Sequence, residues 1–237
     1  MKNRTWVGLW GIVAIVLWVG AVQAQTRILP LGDSVTSSFA PYSSYRYWLW
    51  HYLTDNPKRY YNVDFVGTQS GVAEGSPART DYDQDHEGHP GWTSQDGLEN
   101  IDFIANATQP DVVLLDLGAN DVEQGVDPAI IIGNLQGIIE HLRAVNPNVA
   151  VLLAEPTPYT GDNSRGLSKF KGAIARLAKQ EDQKRGSRVL AVNLFGGFSV
   201  RKYTFDGTHP NERGEQFIAK KYFAVLKKVL PRPQNNS

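Results

Sequence analysis

Short apolar runs alternate along the chain with longer amphipathic ones, beginning just after Gln25. Residues 27–31, 63–66, 111–117, 149–154 and 188–194 read as five strands, the third apolar enough to be buried on both faces. Between the first two, residues 44–54 form an aromatic-rich stretch that reads as a helix. In residues 127–145, Ile131, Leu135, Ile138, Leu142 and Val145 recur every three or four positions, as one face of a helix does. Ile218, Tyr222, Val225 and Val229 repeat the pattern in residues 210–230, where Pro210 suits a first helical turn. Strands alternating with helices of this length predict an α/β domain whose parallel sheet is covered on both faces. Residues 70–94 show no periodicity, are rich in Gly, Asp and His, and read as a long loop of the kind that serves function.

Composition narrows the picture. The 237 residues suffice for one domain with a sizeable core and are too few for two comfortable ones. Basic and acidic residues balance at 24 each, so nothing builds the positive surface that nucleic acid requires. With no cysteine in the chain, disulfides, a thiol nucleophile and cysteine-ligated zinc are excluded. Lys2 and Arg4 precede a charge-free run over 6–22, and Val22-Gln23-Ala24 offers small residues where a signal peptidase needs them. This pattern predicts a signal peptide over 1–24, cleaved after Ala24 rather than kept as an anchor, and a secreted or periplasmic protein free of the membrane. Loss of Lys2 and Arg4 leaves 22 basic against 24 acidic residues, a net charge of −2. A domain over 25–230 then precedes a flexible tail over 231–237.

In an open parallel sheet, reactive groups gather beyond the carboxyl ends of the strands. Four polar groups fall there: Gly32-Asp33-Ser34, the loop through Gly91, Gly118-Ala119-Asn120-Asp121, and Asp206-Gly207-Thr208-His209. Acyl transfer needs a nucleophile, a base, a group orienting the base, and donors for an oxyanion. Ser34, past a buried strand and a glycine, suits an exposed nucleophile; taken alone it suits a helix cap better. His209 lies three residues after Asp206, a spacing that can fix an imidazole tautomer, though Asp206 or Thr208 would also cap the last helix. Asn120 can aim its amide at an oxyanion or simply occupy a turn. His86 and His89 flank Glu87 but do not make the H-E-x-x-H zinc pattern. Asp81, Asp83 and Asp85 alternate like a calcium loop, yet His86 stands where such a loop needs glycine and Trp92 where it needs glutamate, which leaves a looser calcium site from these carboxylates as the alternative.

Together these blocks carry a resemblance that none carries alone. G-D-S-V at 32–35, H-E-G-H-P-G-W-T at 86–93, G-A-N-D at 118–121 and D-G-T-H at 206–209, in that order, resemble the four blocks of the SGNH (GDSL) hydrolases. The resemblance implies an α/β, three-layer flavodoxin-like fold with a five-stranded parallel sheet. It implies a Ser34–His209–Asp206 triad and an oxyanion hole made by the Ser34 and Gly91 N–H groups and the Asn120 side chain. It calls for no cofactor and no metal. The G-x-S-x-G pentapeptide of other α/β hydrolases is absent. S-Y-R-Y-W-L-W at 44–50 and V-D-F-V-G-T-Q at 63–69, with the H-E-G-H loop, are similar to carbohydrate esterase family three, whose members are secreted and deacetylate xylan. That likeness implies an acetylated polysaccharide or small ester as substrate. Tyr42, Tyr45, Tyr82, Trp92 and Tyr203, in the segments expected to ring the site, offer faces with a polar edge that suit a sugar ring, with Tyr45 and Trp92 expected to bind it; the alternative is that these aromatics simply pack the loop down. Two rivals remain: a lipase, lysophospholipase or thioesterase of the same fold, and an inactive carbohydrate-binding relative, which would have lost a catalytic residue. Asp116, a carboxylate on an apolar strand, has no partner legible in the sequence.

Overall fold

All five expected strands are present in the computed structural model, which describes residues 24–234 except 57, 59, 162, 163, 185 and 187. They are β1 (Thr26–Gly32), β2 (Val63–Phe65), β5 (Val112–Asp116), β6 (Ala150–Glu155) and β7 (Val189–Asn193), the intervening β3 (Gln69–Ser70) and β4 (Asp85–Gly88) being additional. Their order across the sheet is β2-β1-β5-β6-β7 and every pairing among them is parallel. This is the flavodoxin-like order, in which the connection reverses direction at β1 and opens a crevice beyond the carboxyl ends.

The sheet has seven strands rather than five. The stretch expected to be structureless contributes β4, which pairs in parallel with the end of β1 through Leu31–Glu87 and Gly32–Gly88, and antiparallel with β3. A strand this short, with the sequence Asp-His-Glu-Gly, shows no apolar alternation, because its buried side chains are polar and satisfied by partners distant in sequence. His86 accepts the Gly88 N–H at Nδ1 (2.9 Å), and burial beside Arg46 pushes its pKa down to about 2, so the ring is neutral. Glu87 accepts the Thr68 N–H and hydroxyl at 2.8 and 2.9 Å and meets the His89 ring at 2.6 Å.

Helices cover both faces. On one side α3 (Ser94–Thr108), α5 (Pro128–Val145) and α6 (Ser164–Asp182) pack Ile101, Ile138, Phe170 and Ile174 against Leu29, Leu31, Val113, Leu115 and Val151. On the other, α2 (Ser44–Thr54) and α8 (Glu212–Leu226) pack Tyr45, Leu49, Ile218 and Tyr222 against the alternate residues Ile28, Val112, Leu114 and Leu152. The shorter α1 (Ser34–Ser37), α4 (Ala119–Glu123) and α7 (Val200–Tyr203) lie in the loops. The last long helix starts later than its periodicity suggests. Asn211 caps it by accepting the Arg213 and Gly214 N–H groups, while Pro210 pairs across the preceding turn with Thr204. Residues 231–234 are not a free tail, since Gln234 exchanges backbone hydrogen bonds with Tyr60 at 2.7 and 3.1 Å. The expected signal peptide lies, up to residue 23, outside the described residues. No described helix is long and apolar enough to cross a membrane.

One buried cation ties the loops of the site to this frame. Arg46, fully buried in α2, donates to the carbonyl oxygens of Thr36, Ser37, Gly71 and Gln84 and to the Ser44 hydroxyl. It thereby pins the β3–β4 hairpin onto the turn after β1. Arg46→Leu would strip these carbonyls of their donor at about 1–3 kcal/mol apiece. We expect a loss of at least about 3 kcal/mol, a fall in Tm of roughly 6–12 °C for a chain of this size. Calorimetry checks it, and an unchanged Tm would show that water replaces the guanidinium.

Candidate active site

The nucleophile's turn is built by close approach. β1 runs beside β5, and a side chain on Gly32 would meet the Asp116 carbonyl oxygen at 2.7 Å, so the chain can turn here only with glycine. Asp33 is the cap of α1, accepting the Val35 N–H at 2.9 Å. Capping is therefore assigned to Asp33, and Ser34, the first helical residue, is left free to face the site. Its hydroxyl lies 3.0 Å from His209 Nε2.

Behind the imidazole, His209 Nδ1 sits 2.6 Å from Asp206 Oδ2, while Asp206 Oδ1 accepts the Thr208 and His209 N–H groups at 2.9 and 2.7 Å. Burial by itself would raise the Asp206 pKa. The imidazole and the two N–H donors outweigh it and hold the carboxyl below its ordinary value. An ionised Asp206 fixes the proton on Nδ1 and leaves Nε2 bare toward Ser34, which is the tautomer a general base requires.

Asn120 enters from α4. Its helix begins at Gly118, whose φ of +110° and contact with the Phe170 ring leave no room for a Cβ. Asn120 Nδ2 donates to the Trp92 carbonyl at 2.8 Å and points its other hydrogen toward Asp33, 3.5 Å away. Asp121 next to it is buried and accepts the Ser94 N–H and hydroxyl at 2.7 and 2.6 Å, locking α4 to the start of α3. Gly91 lies on the turn that follows β4, which is tied to the end of β1 by the His89 N–H bond to the Gly32 carbonyl at 3.0 Å. Among the described residues, the N–H groups of Ser34 and Gly91 have no acceptor. Both are thus free to donate to a ligand.

Below the turn, Asp33 and Asp116 form a buried carboxylate pair. Burial pushes Asp33 up to about 6 against the pull of the Val35 N–H and His209. Burial and the neighbouring Asp33 push Asp116 well above its ordinary value, and Asp116 Oδ2 has no hydrogen-bond partner.

Several expected binding residues are elsewhere. Tyr45 is fully buried and stacks on Tyr222 with ring centroids 5.2 Å apart, so it is a core residue and not a substrate contact. Its position in α2 follows the Tyr45–Leu49–Leu53 stripe that faces the sheet. Tyr82 is likewise buried, its hydroxyl bonded to the Ser43 carbonyl at 2.8 Å, and Tyr203 packs against Phe198 and Phe217. Trp92 is half-buried, stacks on His89 at 3.8 Å, and contributes its carbonyl to Asn120. Tyr42 remains near the site, stacked on Phe205. His86, Glu87 and His89 serve the β4 turn, and among the described residues no group of three or more acidic, His or Cys side chains is arranged to hold a metal ion.

A cavity of about 130 Å³ opens beside the nucleophile, lined by Ser34, Asn120, Glu123, Thr157, Tyr159 and Thr160 among others. The last three follow β6, whose carboxyl end falls between those of β5 and β7. None of the residues of this loop stands among those expected from sequence, because no motif marks it; the rule that sites form beyond strand carboxyl ends is the signal that could have found it. Residues 31–217 match the model of the GDSL-like lipase/acylhydrolase family. The chain belongs to that family. Among curated relatives of this GDSL-like chain, a multidomain esterase of Ruminococcus flavefaciens is 27% identical over 228 residues. The match covers 86% of this chain but only 29% of the relative's length. Among solved structures, a carbohydrate esterase of family 3 from Talaromyces cellulolyticus superposes with a TM-score of 0.75 at 29% identity, covering 86% of this chain and 98% of the other. A serine-to-alanine mutant of an acetyl esterase, solved with an acetate ion, gives 0.74 at 28% identity, again covering 86% and 98%.

Proposed function

We propose that this GDSL-family protein is an exported serine esterase that removes short acyl groups, acetyl above all, from polysaccharide such as xylan. The observation that carries the reaction is the unbroken chain from Ser34 Oγ to His209 Nε2 (3.0 Å) and from His209 Nδ1 to Asp206 (2.6 Å). As Ser34 attacks the ester carbonyl, His209 takes its proton and Asp206 stabilises the imidazolium. The Ser34 and Gly91 N–H groups and Asn120 then receive the oxyanion. The alcohol leaves with the proton held by His209, and water repeats the cycle on the acyl-serine. The Trp92 carbonyl holds one Asn120 hydrogen, and the other, directed at Asp33 in the free protein, turns to the oxyanion when charge develops.

Two features support a short acyl group. The cavity beside Ser34 is smaller than the usual 300–1,000 Å³ of a drug-sized site, and Glu123, Thr157, Thr160 and Thr208 interrupt its apolar lining with polar groups. A long acyl chain would need a continuous apolar wall there. The likeness to a family 3 carbohydrate esterase and to an acetyl esterase supports acetyl esters of sugars, and the charge-free stretch after Lys2 and Arg4 supports export to where polymeric substrate is found.

Asn120→Ala should lower kcat by about 10²-fold or more with little change in KM, because its donor serves the transition state. A raised KM at constant kcat would make Asn120 a ground-state contact instead. For the substrate, acetylated xylan should release acetate, and in a series of p-nitrophenyl esters kcat/KM should fall with chain length. Values that climb from acetate to octanoate, with no acetate from xylan, would replace the carbohydrate reading with a lipid one.

A further inference from the structure

In any ester hydrolysed by this mechanism, the leaving oxygen must come within reach of His209 Nε2 to be protonated. The leaving group therefore lies against the His209 imidazole, and the structure surrounds that imidazole with aromatic rings. Phe39 meets His209 edge to face with centroids 4.9 Å apart. Phe205 lies nearly parallel to the imidazole, at 5.9 Å and 24°. Tyr42 stacks on Phe205 at 4.9 Å and 13°. Phe205 is 46% exposed, so nearly half of its surface is still open to cover by a ligand. The cavity beside Ser34 has a different character, and none of these three rings borders it. The two parts of an ester thus meet different surroundings: a small recess of mixed lining and an aromatic shelf at the base.

We propose that Phe205, backed by Tyr42, is the platform on which the sugar ring carrying the leaving hydroxyl stacks, and that it sets the preference for sugar esters. This inference rests on the esterase reading above. A pyranose presents axial C–H groups on one face and hydroxyls around its edge, and an exposed aromatic face matches the first without desolvating the second. Stacking on Tyr42 fixes the Phe205 ring before ligand arrives, so little side-chain entropy is lost on binding. Shelf and imidazole are continuous, which places the stacked sugar's hydroxyl oxygen next to the group that must protonate it. Four of the five aromatics suggested by the sequence are core, loop-packing or backbone contributors; Tyr42 is the exception, acting with a phenylalanine that motif reading does not single out.

The test separates the platform from support of His209. In a Ser34→Ala background, which binds without turnover, xylo-oligosaccharide affinity is measured by calorimetry with and without Phe205→Ala and Phe205→Tyr. We expect Phe205→Ala to weaken binding at least about tenfold and Phe205→Tyr to restore it to within about threefold, since either ring stacks. In the active protein, Phe205→Ala should raise KM for acetylated xylo-oligosaccharide at least about tenfold more than KM for ethyl acetate, whose leaving group has no ring to stack. Equal losses on both esters, or failure of Phe205→Tyr to restore binding, would reduce the ring to a prop for His209 and overturn the proposal while sugar deacetylation by the wild type stands. Wild-type turnover of ethyl acetate without acetate release from any sugar, and without oligosaccharide binding, would overturn the polysaccharide reading and the platform with it.

Discussion

Ser34→Ala is expected to lower kcat by about 10⁴-fold or more while the protein melts within about 2 °C of wild type, because triad members act as a unit and surface truncations cost little. The structural basis for the second half is that the Ser34 hydroxyl is half-exposed and makes its side-chain hydrogen bond to His209 alone, so its removal opens no cavity. The turn itself is held by Asp33, Gly32 and Arg46, which the substitution leaves intact. The measurement is steady-state ester hydrolysis on purified protein together with a thermal melt. A variant that folds normally and keeps more than about a tenth of wild-type activity would remove Ser34 from the nucleophile's role, since no comparable triad tolerates that loss.

His209→Ala should be nearly as damaging, and Asp206→Asn less so. Asp206 orients the imidazole and stabilises its charged form, and the N–H groups of Thr208 and His209 still anchor an asparagine at that position. The pH profile gives an independent handle. A base must be neutral to take the serine proton, so kcat/KM should fall toward acid pH. Asp33 deepens the fall. Its pKa is raised to about 6 by burial, so it is charged above that pH and supports the imidazolium electrostatically; below it, the added proton removes that support. The acid limb should then be steeper than one proton accounts for, and Asp33→Asn should make it shallower. A profile flat from about pH 5 to 9 would count against a histidine base of any kind.

The strands and the parallel sheet were legible in sequence for a common reason: each is a local pattern with one dominant interpretation, whereas the flavodoxin-like strand order came from the family resemblance. Val112–Asp116 is too apolar to be anything but a central strand, and the spacing of Ile131, Leu135 and Ile138 admits only a helix with one buried face. In α6 the same spacing runs through Leu167, Phe170, Ile174 and Leu177, so that helix too is written in the chain. The helix α3 is harder to read, since its exposed face mixes Asn, Asp and Gln with Phe103, which points to solvent.

Individually, Ser34, Asn120, Asp206 and His209 each fit a cap or a turn as well as a catalytic role. Their common order removed that ambiguity, and the structure then explained it, giving the cap of α1 to Asp33 and of α8 to Asn211. β4 could not be foreseen, because Asp-His-Glu-Gly becomes a strand only when the edge of β1 offers it hydrogen bonds and Thr68 and Arg46 surround its polar side chains. The facing of the aromatics was equally closed to sequence. Tyr45 and Tyr42 are three residues apart with similar chemistry, yet one stacks on Tyr222 in the core and the other on Phe205 at the rim. Periodicity reports that one face of an element is buried. It does not report what lies opposite that face, and the surroundings of Ser34 and His209 are made of residues brought opposite one another by strand ends far apart in the chain.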